Sequence, residues 1–365
     1  MSLQTPICEM LGIRYPIVLA GMGDASGPEL AAAVSNAGGL GVLGAAMCGP
    51  DRLWSWVERM RELTDQPFGI DTLLPLSVRS KASQPTSGPG PAEHLPEYLD
   101  FSREFMEREG LLPAKSEGAG TGNLSGDFFA EQMAAVIESK PAVYAAGLGD
   151  PAPYLDQLHA NGTKVISVVG AVRHAHKVRN SGVDIIVAQG HDAGGHNSPV
   201  GTVSLIPQVV DAAGDIPVLG AGGIVDGRGV AAALMLGAQG VWVGSAFLAT
   251  HEASILPFQK KAIVEALETG TTVTRSVTGK PARYIKSKWT EAFAESGLEP
   301  LPMPYQGQVS DPVQNAAFEQ ERQDIAPGFA GQGIGMIQSV RPAAEVMVDL
   351  IQGAEKVLQS ASRFL

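Results

Sequence analysis

Val183-Asp184-Ile185-Ile186-Val187-Ala188 runs without interruption into Gln189-Gly190-His191-Asp192-Ala193-Gly194-Gly195-His196. The first half is an apolar run of strand length, and the second is a glycine-rich loop with two histidines and a carboxylate. A buried parallel strand that opens into such a loop is the arrangement in which an α/β barrel keeps its chemistry. Glycines let backbone approach a ligand closely, and a histidine titrating near neutrality can move protons.

Runs of the same kind recur on both sides of this one. Pro16–Gly21, Gly39–Ala46, Phe68–Pro75, Ala142–Gly149, Lys164–Gly170, Asp184–Gly190, Pro217–Ile224 and Gly240–Leu248 read as strands. They are continuously apolar rather than alternating, the pattern of parallel strands covered on both faces. Helical patterns separate them: Pro28–Ala37, Asp51–Leu63, Asp127–Ser139, Pro153–Ala160, Val172–Ser181, Ser204–Ala213 and Gly227–Leu236. Strands and helices in this alternation predict an α/β fold, a (β/α)8 TIM barrel.

Two segments break the rhythm. Ser77–Gly126 is rich in Ser, Pro and Gly, holds a short helical piece at Pro96–Arg108, and follows the third strand. It reads either as a partly flexible insertion over the barrel mouth or as a linker without a role. Residues 251–339 show helical patches and no strand periodicity, which predicts a smaller, mainly helical lid subdomain inserted before the last helix. That last helix is the amphipathic stretch Arg341–Leu358. The barrel would therefore comprise residues 1–250 and 340–365, and the lid 251–339.

The chain has 365 residues, 44% hydrophobic and 18% charged, with a net charge of −12. This fits a well-buried core and argues against nucleic acid or an anionic membrane as partner. Cys8 and Cys48 have neither metal-ligand spacing nor a disulfide framework, and no signal peptide or membrane-length apolar window is visible. A soluble, cytoplasmic protein acting on a small molecule is the expectation, with assembly into a homo-oligomer left open.

Pro217-Val218-Leu219-Gly220-Ala221-Gly222-Gly223-Ile224 leads through a glycine turn towards a helix, and Gly240-Val241-Trp242-Val243-Gly244-Ser245 repeats the idea one strand later. In barrels of this type the loops after strands seven and eight often bind a phosphate through backbone N–H groups and a helix dipole. A phosphate-bearing cofactor is expected there. Gly39-Leu40-Gly41-Val42-Leu43-Gly44 spells G-x-G-x-x-G, but its glycines lie inside a strand rather than after it, so it is not a dinucleotide fingerprint. Gly331-Gln332-Gly333-Ile334-Gly335 reads as a loop or helix junction. Backbone at Gly21 could face a flat ring system, with Met22 as a soft packing partner. His196 and His191 lack helical metal spacing and have no cysteine nearby, so no metal site is expected. His196, at the end of the loop, suits a general base or a hydrogen-bond donor to a developing negative charge.

Taken together, these segments resemble the nitronate monooxygenase family, FMN-dependent (β/α)8 barrels once called 2-nitropropane dioxygenases. The resemblance runs through Pro16 to Met22, Glu29 to Gly41, Gln189 to His196, Gly220 to Ile224, Gly244 to Thr250, and Ala330 to Gly333 before Arg341-Pro342-Ala343-Ala344. It implies that Gly21 and Met22 meet the flavin ring and that Gln189 and Gly195 contribute to the cofactor site. Gly222 and Gly223, with Gly244 and Ser245, would hold the FMN phosphate, and His196 would be the catalytic histidine. Asp192 stands where the family commonly has Glu, Ser245 where Thr is common, and Asp71 where Asn is frequent near the flavin. The implied reaction is oxidation of an alkyl nitronate, or of a nitroalkane, by FMN and O2 through a flavin semiquinone, giving a carbonyl compound and nitrite. The alternative is an NAD(P)H-dependent reductase of quinones or enoyl-thioesters. A flavin-binding sensor or scaffold is disfavoured, since binding alone does not need His196.

Overall fold

The structure is a computed structural model and describes residues 3–74, 91–115 and 126–361. Eight parallel strands form the central sheet: β1 (Ile17–Leu19), β2 (Gly41–Gly44), β3 (Phe68–Leu74), β4 (Val143–Gly149), β5 (Lys164–Val169), β6 (Ile185–Gln189), β8 (Val218–Ala221) and β9 (Gly240–Val243). Their order is β1-β9-β8-β6-β5-β4-β3-β2, and a parallel bridge between Val18 and Leu40 brings β2 back to β1. The ring is therefore a TIM barrel, with every expected strand in place. Helices cover the outside, from Pro28–Asn36 to Ala343–Ser360. The last lies against the helix Gly227–Met235 so closely that a Cβ on Gly227 would stand 2.2 Å from the Ala354 nitrogen.

Two details of the barrel depart from expectation. A helix at Pro6–Leu11 precedes β1, and Ile7, Cys8 and Leu11 join Val18, Val42, Ile166, Val187 and Trp242 in a buried cluster. It sits at the strand-start end, where the Thr5 hydroxyl donates to the carbonyl of Gln239, just ahead of β9. The stretch expected to remain strand as far as Leu248 instead stops at Val243. Gly244 starts a short helix, Ser245–Leu248. The first N–H groups of a helix have no partner within it, and here that start, at Ser245, lies at the rim of the barrel.

The region after β9 also needs correction, because it contains strands. β10 (Thr271–Thr274) and β11 (Ala282–Ile285) are antiparallel, and β11 pairs in turn with β7 (Gly195–His196). The histidine-bearing loop is thus the edge of a three-stranded sheet whose other strands come from residues expected to be helical. The helices Lys288–Glu295 and Tyr305–Glu319 lie beyond it. The described part of the Ser77–Gly126 segment is mostly one helix, Pro91–Glu109. Its Tyr98 and Phe105 enter one apolar cluster with Trp289, Phe293, Val309 and Val313, with Phe105 edge-on to Trp289 at 5.2 Å. Lys288 adds an ion pair to Glu109 at 2.8 Å. The Gln84–Pro91 glycine-proline run, for which flexibility was expected, lies almost wholly outside the described residues. Among the described residues no helix is long and apolar enough to cross a membrane.

Candidate active site

The strand ends β1, β3, β6, β8 and β9 meet at one mouth. Strand alternation decides what faces it. On β3, Asp71 pairs in register with Gly44 of β2 and Ala145 of β4. On β6, Gln189 follows Ile185 and Val187, which belong to the inner cluster. Gly, Ala and two polar side chains therefore form the top inner layer, which leaves room above it for a flat ligand.

Gly21 lies directly against Asp71: a Cβ there would stand 1.9 Å from Oδ2. The other carboxylate oxygen, Oδ1, accepts the backbone N–H of Gly147 at 3.0 Å. Asp71 is 8% exposed, and burial pushes its carboxyl up to about 7, partly opposed by the Gly147 hydrogen bond. Met22 reaches the next rim, its sulfur 3.3 Å from where a Gly244 Cβ would lie. The Met22 N–H is held by the Ser26 hydroxyl at 2.8 Å.

Gly222 and Gly223 both have positive φ, +108° and +70°, which favours glycine. A Cβ on Gly222 would stand 2.6 Å from Thr202 Oγ1, and one on Gly223 would stand 3.1 Å from Asp192 Cβ. Among the described residues the N–H groups of Gly222, Gly223, Gly244 and Ser245 donate to no backbone acceptor. Free N–H groups on two adjacent glycine turns suit an anion. The helix Gly227–Met235, which was expected to lend its dipole, is already capped: the Asp226 carboxylate accepts from the N–H groups of Arg228 and Gly229. The donors come from the turns and from the start of Ser245–Leu248 instead. Gly331–Gly333, expected to be no more than a junction, closes the same corner. Its Gly331 N–H donates to Ser245 Oγ at 2.8 Å, and a Cβ on Gly333 would stand 3.0 Å from the Gly223 carbonyl oxygen.

The loop from Gly190 to Gly201 is tied down at each turn. Asp192 Oδ2 accepts the N–H of Thr202 at 3.0 Å, anchoring the start of the helix Thr202–Ala213. His191 Nδ1 lies 3.0 Å from the Ser198 carbonyl, so His191 braces the loop rather than serving the mouth. Gln189 Nε2 donates to the His196 carbonyl at 2.7 Å, which leaves its Oε1 to face a ligand. Gly195, at φ +70°, pairs with Arg283 of β11.

His196 is held from the connection between β10 and β11: Nε2 lies 3.0 Å from the Thr278 hydroxyl. Burial, with the nearby Lys280 ammonium, brings His196 down to about 4, so it is neutral at pH 7. Lys280 is itself half-buried. Arg283, only 5% exposed, supports the loop from below. Its Nε and Nη2 both donate to the His191 carbonyl, at 3.3 and 3.0 Å, and Nη1 donates to Thr271 Oγ1 at 3.1 Å. Phe329 stacks on Tyr284 at 4.3 Å and lies 6.4 Å from His196. Thr278, Lys280 and Arg283 were not among the sequence candidates. The signal that could have found them is the β-branched run Thr271-Thr272-Val273-Thr274 facing Ala282-Arg283-Tyr284-Ile285 across a glycine turn.

The structure thus brings His196, Gln189, Gly195, Gly21, Met22, Gly222, Gly223, Gly244 and Ser245 to the rim of one barrel. A separate cleft of about 580 Å3, lined by Ala262, Gly270, Arg322 and Asp324 among others, holds none of them.

Residues 4–353 match the family model described as nitronate monooxygenase. A "Probable nitronate monooxygenase" of Staphylococcus saprophyticus is 32% identical over 98% of this chain and 99% of its own length. Among solved structures, the nitroalkane oxidase of Streptomyces ansochromogenes superposes with a TM-score of 0.83 at 28% identity, over 97% of this chain and 99% of that one. FabK of Thermotoga maritima superposes with a TM-score of 0.78 at 30% identity, over 99% of both chains.

Proposed function

The chain belongs to the nitronate monooxygenase family, and on that premise we propose that it oxidises alkyl nitronates with O2, using FMN, to a carbonyl compound and nitrite. The observation that carries this reading is the neutral His196 beside Lys280, tied to a lid hairpin over a barrel mouth with a free-donor glycine cradle.

The cradle fits the cofactor. Gly222, Gly223, Gly244 and Ser245 offer N–H groups to a phosphate, and Gly21, Met22, Gly195 and Gln189 border the space for the ring. When bound, a flavin supplies the electron-transfer chemistry that no side chain here can perform. The remaining work falls to the protein. A nitronate is an anion, so its approach is favoured by the Lys280 ammonium despite a net charge of −12. His196, being neutral, hydrogen-bonds a nitro oxygen without forming an ion pair. A histidine drawn down to about 4 is a weak base, poorly matched to removing the α-proton of a neutral nitroalkane. The site therefore suits the preformed anion better than its conjugate acid. The hairpin and Phe329 border the His196 side of the mouth.

Oxygen uptake and nitrite release, measured with a preformed alkyl nitronate and with the matching neutral nitroalkane, test this directly. Turnover should strongly favour the nitronate. Preference for the neutral nitroalkane would make His196 a working base and overturn its binding role. No turnover of either, with oxidation of NADPH or NADH instead, would replace the reading by a reductase.

A further inference from the structure

Asp71 has no part in the chemistry above, yet among the described residues it is the one carboxyl in the top inner layer of the barrel. Its surroundings supply little to an anion. An ionised carboxylate offers about four lone-pair sites. Here one backbone N–H, that of Gly147, is the partner that the described residues provide. Among the described residues, the elements packed against it present Gly21 at the end of β1, Gly44 on β2, and Ala145 and Gly147 on β4; none of these titrates and none is charged. Oδ2 leans over the Cα of Gly21, at the very place where the ring is expected. Both flanking glycines are required by this side chain, since a Cβ on Gly147 would also come within 2.9 Å of Oδ1. The packing is thus built around a carboxyl group without building a site for its charge.

We propose that Asp71 is a cofactor-binding residue that acts as a neutral acid, accepting from Gly147 through Oδ1 and offering the O–H of Oδ2 to the flavin ring. This rests on the barrel mouth being the flavin site. Removing the proton would turn the donor into an unpaired anion against the ring, so cofactor binding weakens as Asp71 ionises. The rise of its carboxyl to about 7 places that loss just above neutrality. The sign follows from the binding-competent form being the protonated one, populated below that pH and depleted above it. Apparent affinity then falls by about tenfold for each pH unit above the carboxyl's midpoint.

The test is the dissociation constant of FMN for the cofactor-free protein, by flavin fluorescence quenching between pH 6 and 8.5, in the wild type and in Asp71→Asn. Asparagine keeps the acceptor for Gly147 and supplies an N–H at every pH. The wild type should lose affinity by tenfold or more across this range relative to Asp71→Asn, because ionisation of the FMN phosphate affects both alike. Parallel curves overturn the proposal. A second measurement needs no cofactor: the infrared difference between wild type and Asp71→Asn should show a protonated carboxyl stretch at pH 6 that is gone at pH 8.5. Its absence at pH 6 overturns the proposal whatever the flavin does. A wild type that takes up no flavin at any pH removes the flavin site itself, while the infrared band still decides the state of Asp71.

Discussion

Replacing Gly21 by alanine puts the close packing at the end of β1 to a quantitative test. Gly21 does not lie in the left-handed region, so its backbone can carry a side chain and the penalty is purely one of space. The new Cβ would stand 1.9 Å from Asp71 Oδ2 and 2.5 Å from both Asp71 Cβ and Cγ, so something must move. Asp71 has little freedom, because Gly147 holds Oδ1 and the residue is 8% exposed. Overpacking of a tight interior costs about 1–3 kcal/mol, and breaking the Gly147 hydrogen bond adds about 1 kcal/mol. Gly21→Ala should therefore destabilise the protein by roughly 2–4 kcal/mol in urea unfolding. The informative comparison is the same change in an Asp71→Gly background, which removes all three nearest atoms. There the substitution should be neutral, or stabilising by about 0.4–1 kcal/mol, since alanine restricts the unfolded chain. The sign of the effect depends on the partner. An equal penalty in both backgrounds would refute the placement of Asp71 against Gly21.

Arg283→Ala should cost about 2–3 kcal/mol, since it removes charge-assisted donors from the part-buried His191 carbonyl, and it should also depress activity by loosening β7; Arg283→Lys should recover only part of both, as read from unfolding curves and turnover. His196 has a folded-state pKa near 4, below its unfolded value, so the unfolded chain takes up a proton first and stability is lost as pH falls from about 6.5 towards 4. His196→Asn should remove on the order of 2–3 kcal/mol of that acid sensitivity in denaturation at pH 4.5 and pH 7, and an unchanged sensitivity would show that His196 is not held neutral by burial. Gly222→Ala, which meets both a φ of +108° and Thr202 Oγ1 at 2.6 Å, should abolish tight FMN binding in a fluorescence titration. Asp226→Ala should cost about 1 kcal/mol through loss of its helix cap while leaving FMN affinity within about twofold, because that helix start is not among the free donors.

What could be read from sequence follows the physics of each element. The barrel strands were legible because parallel strands buried on both faces, such as Ile185–Gln189 and Lys164–Val169, must be apolar throughout. The glycine turns at Gly222 and Gly244 were legible because backbone needs of this kind are local. The hairpin Thr271–Ile285 escaped notice because its partner is the short β7, distant in sequence, and its strands are half polar. Thr278, Lys280 and Arg283 came to the site only through that pairing. Ser245–Leu248 continued an apolar run, and periodicity alone does not separate a short buried helix from a strand. The role of Gly331–Gly333 depends on its contacts with Ser245 and Gly223, which no local pattern encodes. Asp71 stood out in the sequence as an acid where an amide is frequent, but its pairing with Gly21 and Gly147 is a property of the closed ring.

The most direct measurement is anaerobic stopped-flow absorbance of the flavin-loaded protein, mixed with an alkyl nitronate and, separately, with NADPH or NADH. The flavin spectrum should change rapidly with the nitronate and stay unchanged with the nicotinamide. Bleaching by the nicotinamide with no response to nitronate would contradict nitronate oxidation and make the protein a reductase.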